Sequence, residues 1–360
     1  MLEFKNISHK YEKYNVIDDF SMKIESNSVT SLLGSSGSGK TTLLRLASGL
    51  EKLQKGEVIF NGSINSKDSA FLNTEYRNIG YVFQDCALFP HLDVEQNIFY
   101  GLHREDKKTL DKIFALLKKN NFLHYKNRYP HELSGGQRQL VAVFRALASS
   151  PKLILMDEPF SNLDTKLKEE LRDQILHILK ENKVTTLLVT HDADEAMFMS
   201  DKIGILNNGK LEQFGTPVEI YNRPKSKFVA KFFGEINVFD GHIKSGKVKT
   251  ILGEFNYKKI DSQKDYFLIV RSEGLKLSNL DDKNSNNLFG INKKNVVKCP
   301  NMGRIVESKF LGANTIVHLS LIDNRESYHL HVKIPGMNYF KNNQMVHIFT
   351  DLDYTYIFNN

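Results

Sequence analysis

The chain has 360 residues, 41% hydrophobic and 25% charged, with a formal net charge of +7, a composition that allows two or more globular domains with a sizeable core. No apolar run approaches the ~18 residues of a spanning helix, and residues 1–6 offer no signal-peptide core, so the expectation is a chain neither exported nor membrane-spanning by itself. The two cysteines, Cys86 and Cys299, are far apart and argue against a disulfide framework, while the absence of a concentrated basic block argues against a nucleic-acid partner.

Residues 2–7 and 16–24 read as two strands, with Tyr11 in the turn between them. On position alone, an aromatic there serves equally as a platform for adenine or as a packing tyrosine. Residues 29–33 are strand-type and read as a third strand. It runs into Gly34-Ser35-Ser36-Gly37-Ser38-Gly39-Lys40-Thr41-Thr42 and then a helix-forming stretch from Leu43. This fits the phosphate-loop pattern G-x-x-x-x-G-K-[ST] in its required strand-loop-helix context. Glycines let backbone N–H groups wrap an anion, the helix dipole faces it, Lys40 reaches its terminal phosphates, and the Thr41 hydroxyl suits Mg²⁺.

Residues 57–60 read as a strand before an Asn61-Gly62 turn, and residues 79–83 as a buried strand ending at Gln84, where ligands of α/β sheets bind. Residues 93–121 have helical spacing. Leu133-Ser134-Gly135-Gly136-Gln137 then opens a helix, Ser134 as N-cap, and forms a second anion site. Residues 152–156 are a buried strand tipped by Asp157 and Glu158. Two carboxylates there are costly unless a cation or a proton transfer uses them, Asp157 suiting Mg²⁺ and Glu158 suiting a water. A helix over 165–182 is approached through Asn162 and Asp164. Residues 185–190 form a strand tipped by His191, residues 192–200 a helix, and residues 202–214 a strand pair turning at Asn207-Asn208-Gly209.

Strands alternating with helices imply a mostly parallel sheet. Beyond Gly234 the pattern changes to short strands at 248–252, 266–270, 304–306, 316–321, 329–334 and 345–350, which suggests a small barrel or sandwich. Residues 278–294 are poor in core residues and read as a mobile loop. His329 and His331 would share one strand face, which fits a half-exposed face better than a metal pair.

In this order the motifs resemble those of ABC transporter ATPases over residues 1–222. They are the loop 34–42, the glutamine loop at Gln84, the signature 133–137, the 153–158 strand, the Ser161-Asn162-Leu163-Asp164 loop and the His191 switch. The resemblance implies an α/β phosphate-loop nucleotide-binding domain over 1–234, with a helical subdomain at about 88–150. An all-β, OB-like (TOBE-type) regulatory domain over 235–360 would follow. It implies ATP and Mg²⁺, with Tyr11 stacking on adenine and Val16 packing nearby. Two copies would close on two ATP molecules, each lying between Lys40 of one copy and Ser134, Gly135 and Gly136 of the other, beside Gln137. Glu158 would be the general base, His191 would hold the γ-phosphate, Gln84 would join the metal and water shell, and Asp164 would link the sites. Permease subunits, and through them a periplasmic solute-binding protein, are the implied partners, at the cytoplasmic face of the inner membrane.

The finer resemblance is to importer ATPases of the maltose, polyamine and ferric-iron group. Arg128-Tyr129-Pro130-His131-Glu132, Glu158-Pro159-Phe160-Ser161-Asn162-Leu163-Asp164, Glu195-Ala196-Met197-Phe198-Met199-Ser200-Asp201 and Val270-Arg271-Ser272-Glu273-Gly274-Leu275 look most like ferric-iron import ATPases. Phe233-Gly234-Glu235-Ile236-Asn237-Val238-Phe239 is similar to polyamine importers. Leu140 departs from the family's usual basic residue, and Phe144 from its usual small one. A soluble ABC ATPase of translation or repair is the competing class. It usually carries two motif sets or a long coiled-coil insertion, and this chain has neither.

Overall fold

A computed structural model describes residues 1–67, 70–102, 107–244, 246–257, 265–279, 295–323 and 326–359. The chain divides into two compact units, Met1–Ile220 and Tyr221–Asn360.

The first unit holds strands β1 (Leu2–Tyr11), β2 (Tyr14–Ile24), β3 (Val29–Gly34), β4 (Lys55–Phe60), β5 (Ser63–Lys67), β6 (Ala70–Phe71), β7 (Ile79–Val82), β8 (Leu153–Asp157), β9 (Thr185–Thr190), β10 (Lys202–Asn207) and β11 (Lys210–Gly215). Its helices are α1 (Lys40–Ser48), α2 (Val94–Phe99), α3 (Lys107–Lys119), α4 (Gly135–Ala148), α5 (Thr165–Glu181) and α6 (Ala193–Met199). One sheet has the order β11-β10-β3-β9-β8-β7, parallel except for the edge strand β11. A second, antiparallel sheet has the order β2-β1-β4-β5-β6.

Every residue of β3, β8 and β9 is buried, as strands of a sheet covered on both faces must be. The two-residue period of the strands sorts their side chains. Leu153, Leu155, Leu187 and Val189 pack with Leu43, Leu44 and Leu46 of α1 on one side. Ile154, Met156 and Leu188 pack with Val141 and Phe144 of α4 and Leu171 and Ile175 of α5 on the other. The phosphate loop, His191, Glu158 and Gln84 follow β3, β9, β8 and β7, four neighbours in the parallel order. They therefore gather along one carboxyl edge of the sheet.

Several expectations shift. Tyr11 closes β1 opposite Tyr14 rather than lying in a turn. β7 stops at Val82, and Phe83 is exposed rather than buried. The helical stretch 93–121 is two helices, α2 and α3, with residues 103–106 outside the described residues. Leu140 and Phe144 are both buried in the core, Phe144 edge-on to Phe122 at 5.4 Å. Their departure from the family pattern therefore concerns packing.

Helix α7 (Pro217–Asn222) runs across the division in sequence, and the second unit continues with α8 (Lys227–Phe232). Its strands are β12 (Ile236–Lys244), β13 (Lys247–Thr250), β14 (Gly253–Phe255), β15 (Tyr266–Arg271), β16 (Leu275–Asn279), β17 (Val296–Phe310), β18 (Asn314–Asp323), β19 (Glu326–Pro335), β20 (Met345–Asp351) and β21 (Thr355–Asn359). They form two five-stranded antiparallel sheets, β14-β13-β12-β15-β21 and β16-β20-β17-β18-β19. Phe239, Leu268 and Val270 of the first sheet pack with Leu319, Val332, Val346 and Ile348 of the second in one core. Of the expected loop 278–294, Ser278 and Asn279 complete β16 and residues 280–294 lie outside the described residues.

Buried Arg271 fastens this unit internally. Its guanidinium donates to the carbonyl oxygens of Ala230 and Phe233, 3.2 Å each, and of Tyr221, 3.0 Å, and lies 4.0 Å from the Tyr221 ring centroid. The Tyr221 hydroxyl bonds the Glu273 carboxylate. An arginine at the end of α8 satisfies carbonyls that the helix leaves free.

Candidate nucleotide site

The loop between β3 and α1 is shaped by its glycines. Gly39 has φ 103°, and a Cβ there would lie 2.4 Å from Ile17 Cδ1 and 2.8 Å from Val16 O. Only glycine combines that backbone with that proximity. A Cβ on Gly34 would lie 2.5 Å from Leu206 O. The Ser38 N–H donates to Ser35 O at 3.2 Å and closes the turn. The Ser38 hydroxyl, 3% exposed, has no hydrogen-bond partner. A buried polar atom without a partner is destabilising, and a phosphate oxygen in the loop would satisfy it. Ser35, Ser36 and Gly37 are exposed at the loop's crest, and Thr42 is buried in α1. Lys40 Nζ curls back to donate to Gly34 O and Ser35 O at 2.8 and 2.9 Å. Burial draws its pKa below the usual lysine value, against the Glu158 and Asp157 carboxylates, which raise it.

Thr41 connects this loop to the acidic strand tip, its hydroxyl donating to Asp157 Oδ1 at 3.0 Å. The Tyr81 hydroxyl donates to Asp157 Oδ2 at 3.4 Å. Burial raises the Asp157 pKa, opposed by these two hydrogen bonds, while the Glu158 charge pushes it up further. Glu158 itself sits at φ 43°, a left-handed backbone that a side chain adopts at a cost of roughly 1–3 kcal/mol. Its N–H donates to Val189 O at 2.9 Å, which locks the turn to β9. Its Oε2 lies 3.0 Å from His191 Nδ1, so the imidazole holds the carboxylate.

Gln84 joins the group through an intermediary. Its Nε2 donates to Ser161 Oγ at 3.3 Å, Ser161 Oγ donates to Glu158 O at 3.0 Å, and Asn162 Nδ2 donates to Gln84 O at 3.4 Å. Hydrogen bonds thus pair Thr41 with Asp157 and Glu158 with His191, the two carboxylates act on Lys40 through their charge, and Gln84 joins at one remove. The described hydrogen bonds of the signature residues run within their own helix start, while Gly135 shares the lining of one cavity with Gln84, Asn162 and Leu163. Ser134 Oγ accepts from Gln137 N at 3.3 Å and Gln137 Oε1 accepts from Ser134 N at 2.9 Å, a reciprocal cap that opens α4 at Gly135 and Gly136. Asp164 caps α5, accepting from Leu167 N at 3.1 Å. Val16 lies against Gly39, while Tyr11 donates to Glu51 at 3.4 Å and meets His9 edge-on.

Tyr81 and Ser161 escaped the sequence reading as site residues. A signal existed for Tyr81, since a tyrosine within a run of buried strand residues needs a partner for its hydroxyl. Ser161 stood within the 161–164 motif, but its bonds to Gln84 and Glu158 depend on the fold of that loop. Among the described residues, no helix is long and apolar enough to cross a membrane.

The chain is similar to known proteins over much of its length. The ABC transporter family model matches residues 17–161. The spermidine/putrescine import ATP-binding protein PotA of Borreliella afzelii is 42% identical over 285 residues, 77% of this chain and 81% of that protein. The sulfate/thiosulfate import ATP-binding protein CysA of Halalkalibacterium halodurans is 42% identical over 252 residues, 68% of this chain and 70% of that one. Among solved structures, the dimeric post-hydrolysis state of the ATP-binding cassette MJ0796 with ADP and Pi superposes with a TM-score of 0.52 at 30% identity, covering 60% of this chain and 99% of that one. The chain therefore belongs to the ABC transporter family, as an ATP-binding, ATP-hydrolysing subunit of the importer type.

Proposed function

We propose that two copies of this chain close on two Mg-ATP molecules and energise membrane permease subunits from the cytoplasmic side, with a solute-binding protein acting further upstream. Residues 1–234 serve as the nucleotide-binding domain, its helical subdomain at about 88–150, and residues 235–360 as the OB-like regulatory domain. The dimeric state of the MJ0796 cassette supports the pairing. So does the signature cap of this chain, whose described hydrogen bonds stay within its own helix start and do not reach the phosphate loop, which leaves each half a use in a twin. Tyr11 and Val16 take the adenine side. The loop 34–42 and Lys40 take the phosphates, and Ser134, Gly135, Gly136 and Gln137 of the twin complete the site with Asp164 bridging. The Thr41 hydroxyl and the buried Asp157 carboxylate suit a hard, oxygen-loving cation, with Gln84 positioned to join its shell. Mg²⁺ there would supply charge neutralisation for the phosphates.

The observation that carries the reading is Glu158, fixed at a strand tip with its carboxylate 3.0 Å from His191 Nδ1. Glu158 takes the proton of the attacking water. His191 orients that carboxylate and holds the γ-phosphate. Lys40 and the loop N–H groups hold the charge that develops, so the work is positioning and electrostatic stabilisation. Glu158→Gln is expected to keep ATP binding and slow turnover by roughly 10²–10⁴, with a dimer trapped in Mg-ATP on size-exclusion chromatography. Near-normal turnover in that variant would remove Glu158 as the base.

The permease would dock near Phe89-Pro90-His91. Buried Asn97 braces that loop, donating to Phe89 O, Leu92 O and Asp93 O and accepting from Phe89 N.

For the cargo, the names of the two relatives favour a polyamine or sulfate over ferric iron. The stretches with ferric-iron character also have structural work in this chain. Arg271 and Glu273 fasten the second unit. Tyr129 and Glu132 form a cap, and Glu195 bonds Thr190 and Lys168. We therefore place polyamine first and ferric iron second. ATP turnover of the complex reconstituted with its permease and binding protein should be stimulated by spermidine. Stimulation by ferric iron instead would restore the iron reading.

A further inference from the structure

Apart from the nucleotide site, the second unit brings three imidazoles together. His318 on β18 is paired directly with His331 on β19, and His329 lies two residues before His331 on the same face. Two-residue spacing along one strand and direct pairing across to the next put all three side chains on one side of the sheet. Their ring centroids are 4.7–5.2 Å apart. His318 Nδ1 and His329 Nε2 are 3.0 Å apart, and one ligand nitrogen from each ring lies within 4.8 Å of the others. It is the one such group of metal-binding side chains among the described residues. His318 and His331 are half-buried and His329 is exposed, so the site opens to solvent without dissolving into it.

We propose that His318, His329 and His331 form a three-imidazole site for a divalent first-row transition ion of the Zn²⁺ class. Zinc-to-nitrogen bonds of about 2.0–2.1 Å in a tetrahedron put ligand nitrogens ~3.4 Å apart. Small rotations within the observed spacing reach that. The site has three protein ligands and an open fourth position, and imidazole donors favour Zn²⁺, Cu²⁺ or Ni²⁺ over Mg²⁺ or Ca²⁺. The neighbours support it. Glu235 Oε2 lies 3.5 Å from His331 Nδ1, and a carboxylate beside one ring nitrogen fixes the tautomer that offers the other to a metal. The backbone of His331 is held on both sides by Asn237, whose Nδ2 donates to His331 O and whose Oδ1 accepts from His331 N, each at 2.9 Å. The ligand strand is thus clamped before any ion arrives. The site is independent of the transported solute and of the nucleotide reading, and gives the second unit a metal input of its own.

The test is Zn²⁺ binding to the full-length chain carrying no histidine tag, measured by competition with a chromophoric chelator, with Co²⁺ absorption reporting the ligand set. One equivalent of Zn²⁺ should bind with a Kd of about 1 μM or tighter. The double variant His329→Gln/His331→Gln and the single variant His318→Gln on the other strand should each weaken binding at least ~10-fold. Their melting temperatures in EDTA should match the unmodified chain, which shows that the sheet still forms. His191→Ala should leave the equivalent in place, because that imidazole belongs to the nucleotide site. No binding by the unmodified chain at 10-fold that concentration (roughly 10 μM), or unchanged affinity in the double variant, overturns the proposal.

Discussion

If Asp157 holds the metal as proposed, function and stability pull in opposite directions at this residue. Its carboxylate is buried at the end of β8 with two hydroxyl donors, and its pKa is raised chiefly by that burial. A raised value means that the folded chain holds the proton more tightly than the unfolded chain. As pH climbs past the ordinary aspartate value of about 3.9, the unfolded chain ionises first and the fold is progressively penalised. The penalty is complete once pH exceeds the folded-state value. Asn fits the same contacts, since its oxygen still accepts from Thr41 and its amide donates to the Tyr81 oxygen. Asp157→Asn should therefore raise the melting temperature of the nucleotide-free protein at neutral pH by roughly 2 °C or more, while removing Mg-dependent turnover. The gain should shrink toward zero as pH is lowered to the carboxylate range. Calorimetry across pH checks this, and a variant that melts lower than the unmodified chain at neutral pH would refute it. The conflict is typical of a group whose counter-charge arrives with the ligand.

At the level of elements, α4 shows what was legible in the sequence and what was not. Its start was legible, because Ser134 and Gln137 stand three apart before an apolar run and form the expected cap. The strand tips were legible for the same kind of reason. A continuous apolar run that ends in Asp157-Glu158 or in His191 has little freedom but to be a buried strand with its polar end at the sheet's edge. What stayed hidden was set by partners distant in sequence. β17 runs for 15 residues where only 304–306 stood out, because its polar residues alternate with buried ones and the register shifts around Pro300. β12, β16 and β21 were missed for a related reason, since their burial comes from neighbours across the sheet. Phe144 belongs to this class too. It read as a departure on the signature helix, and the fold shows it completely buried against Phe122, within the cluster that α4 shares with α5 and β8. Phe144→Ala should therefore destabilise the first unit by about 3–5 kcal/mol, read as a shift in the denaturation midpoint. A loss under about 1 kcal/mol would mean that the side chain is replaceable and its burial incidental.

For the whole molecule, the arrangement of charges within one chain makes a kinetic claim. Thr41 bonds Asp157, Glu158 meets His191, and both carboxylates act on the Lys40 charge, whereas the described hydrogen bonds of Ser134 run to Gln137 and Arg138 within its own helix start. If the loop of one copy needs the signature of another, a lone chain binds nucleotide yet hydrolyses it poorly, and turnover becomes second order in protein at low concentration. Each closure would use two nucleotides, so occupancy of one chamber favours the other. The specific activity of the isolated chain in Mg-ATP should therefore fall steeply on dilution and recover on concentration. Its ATP dependence should be sigmoidal, with a Hill coefficient above 1 and at most 2, the number of sites in the closed pair. Ser134→Arg places a bulky cation where the twin's phosphate must sit, and should abolish both effects while nucleotide binding to the single chain persists. The reading fails if activity per chain is constant over a wide dilution series with hyperbolic ATP dependence. In that case Glu158 and His191 act on a nucleotide that one polypeptide encloses, and the cap at Ser134 is only the beginning of a helix.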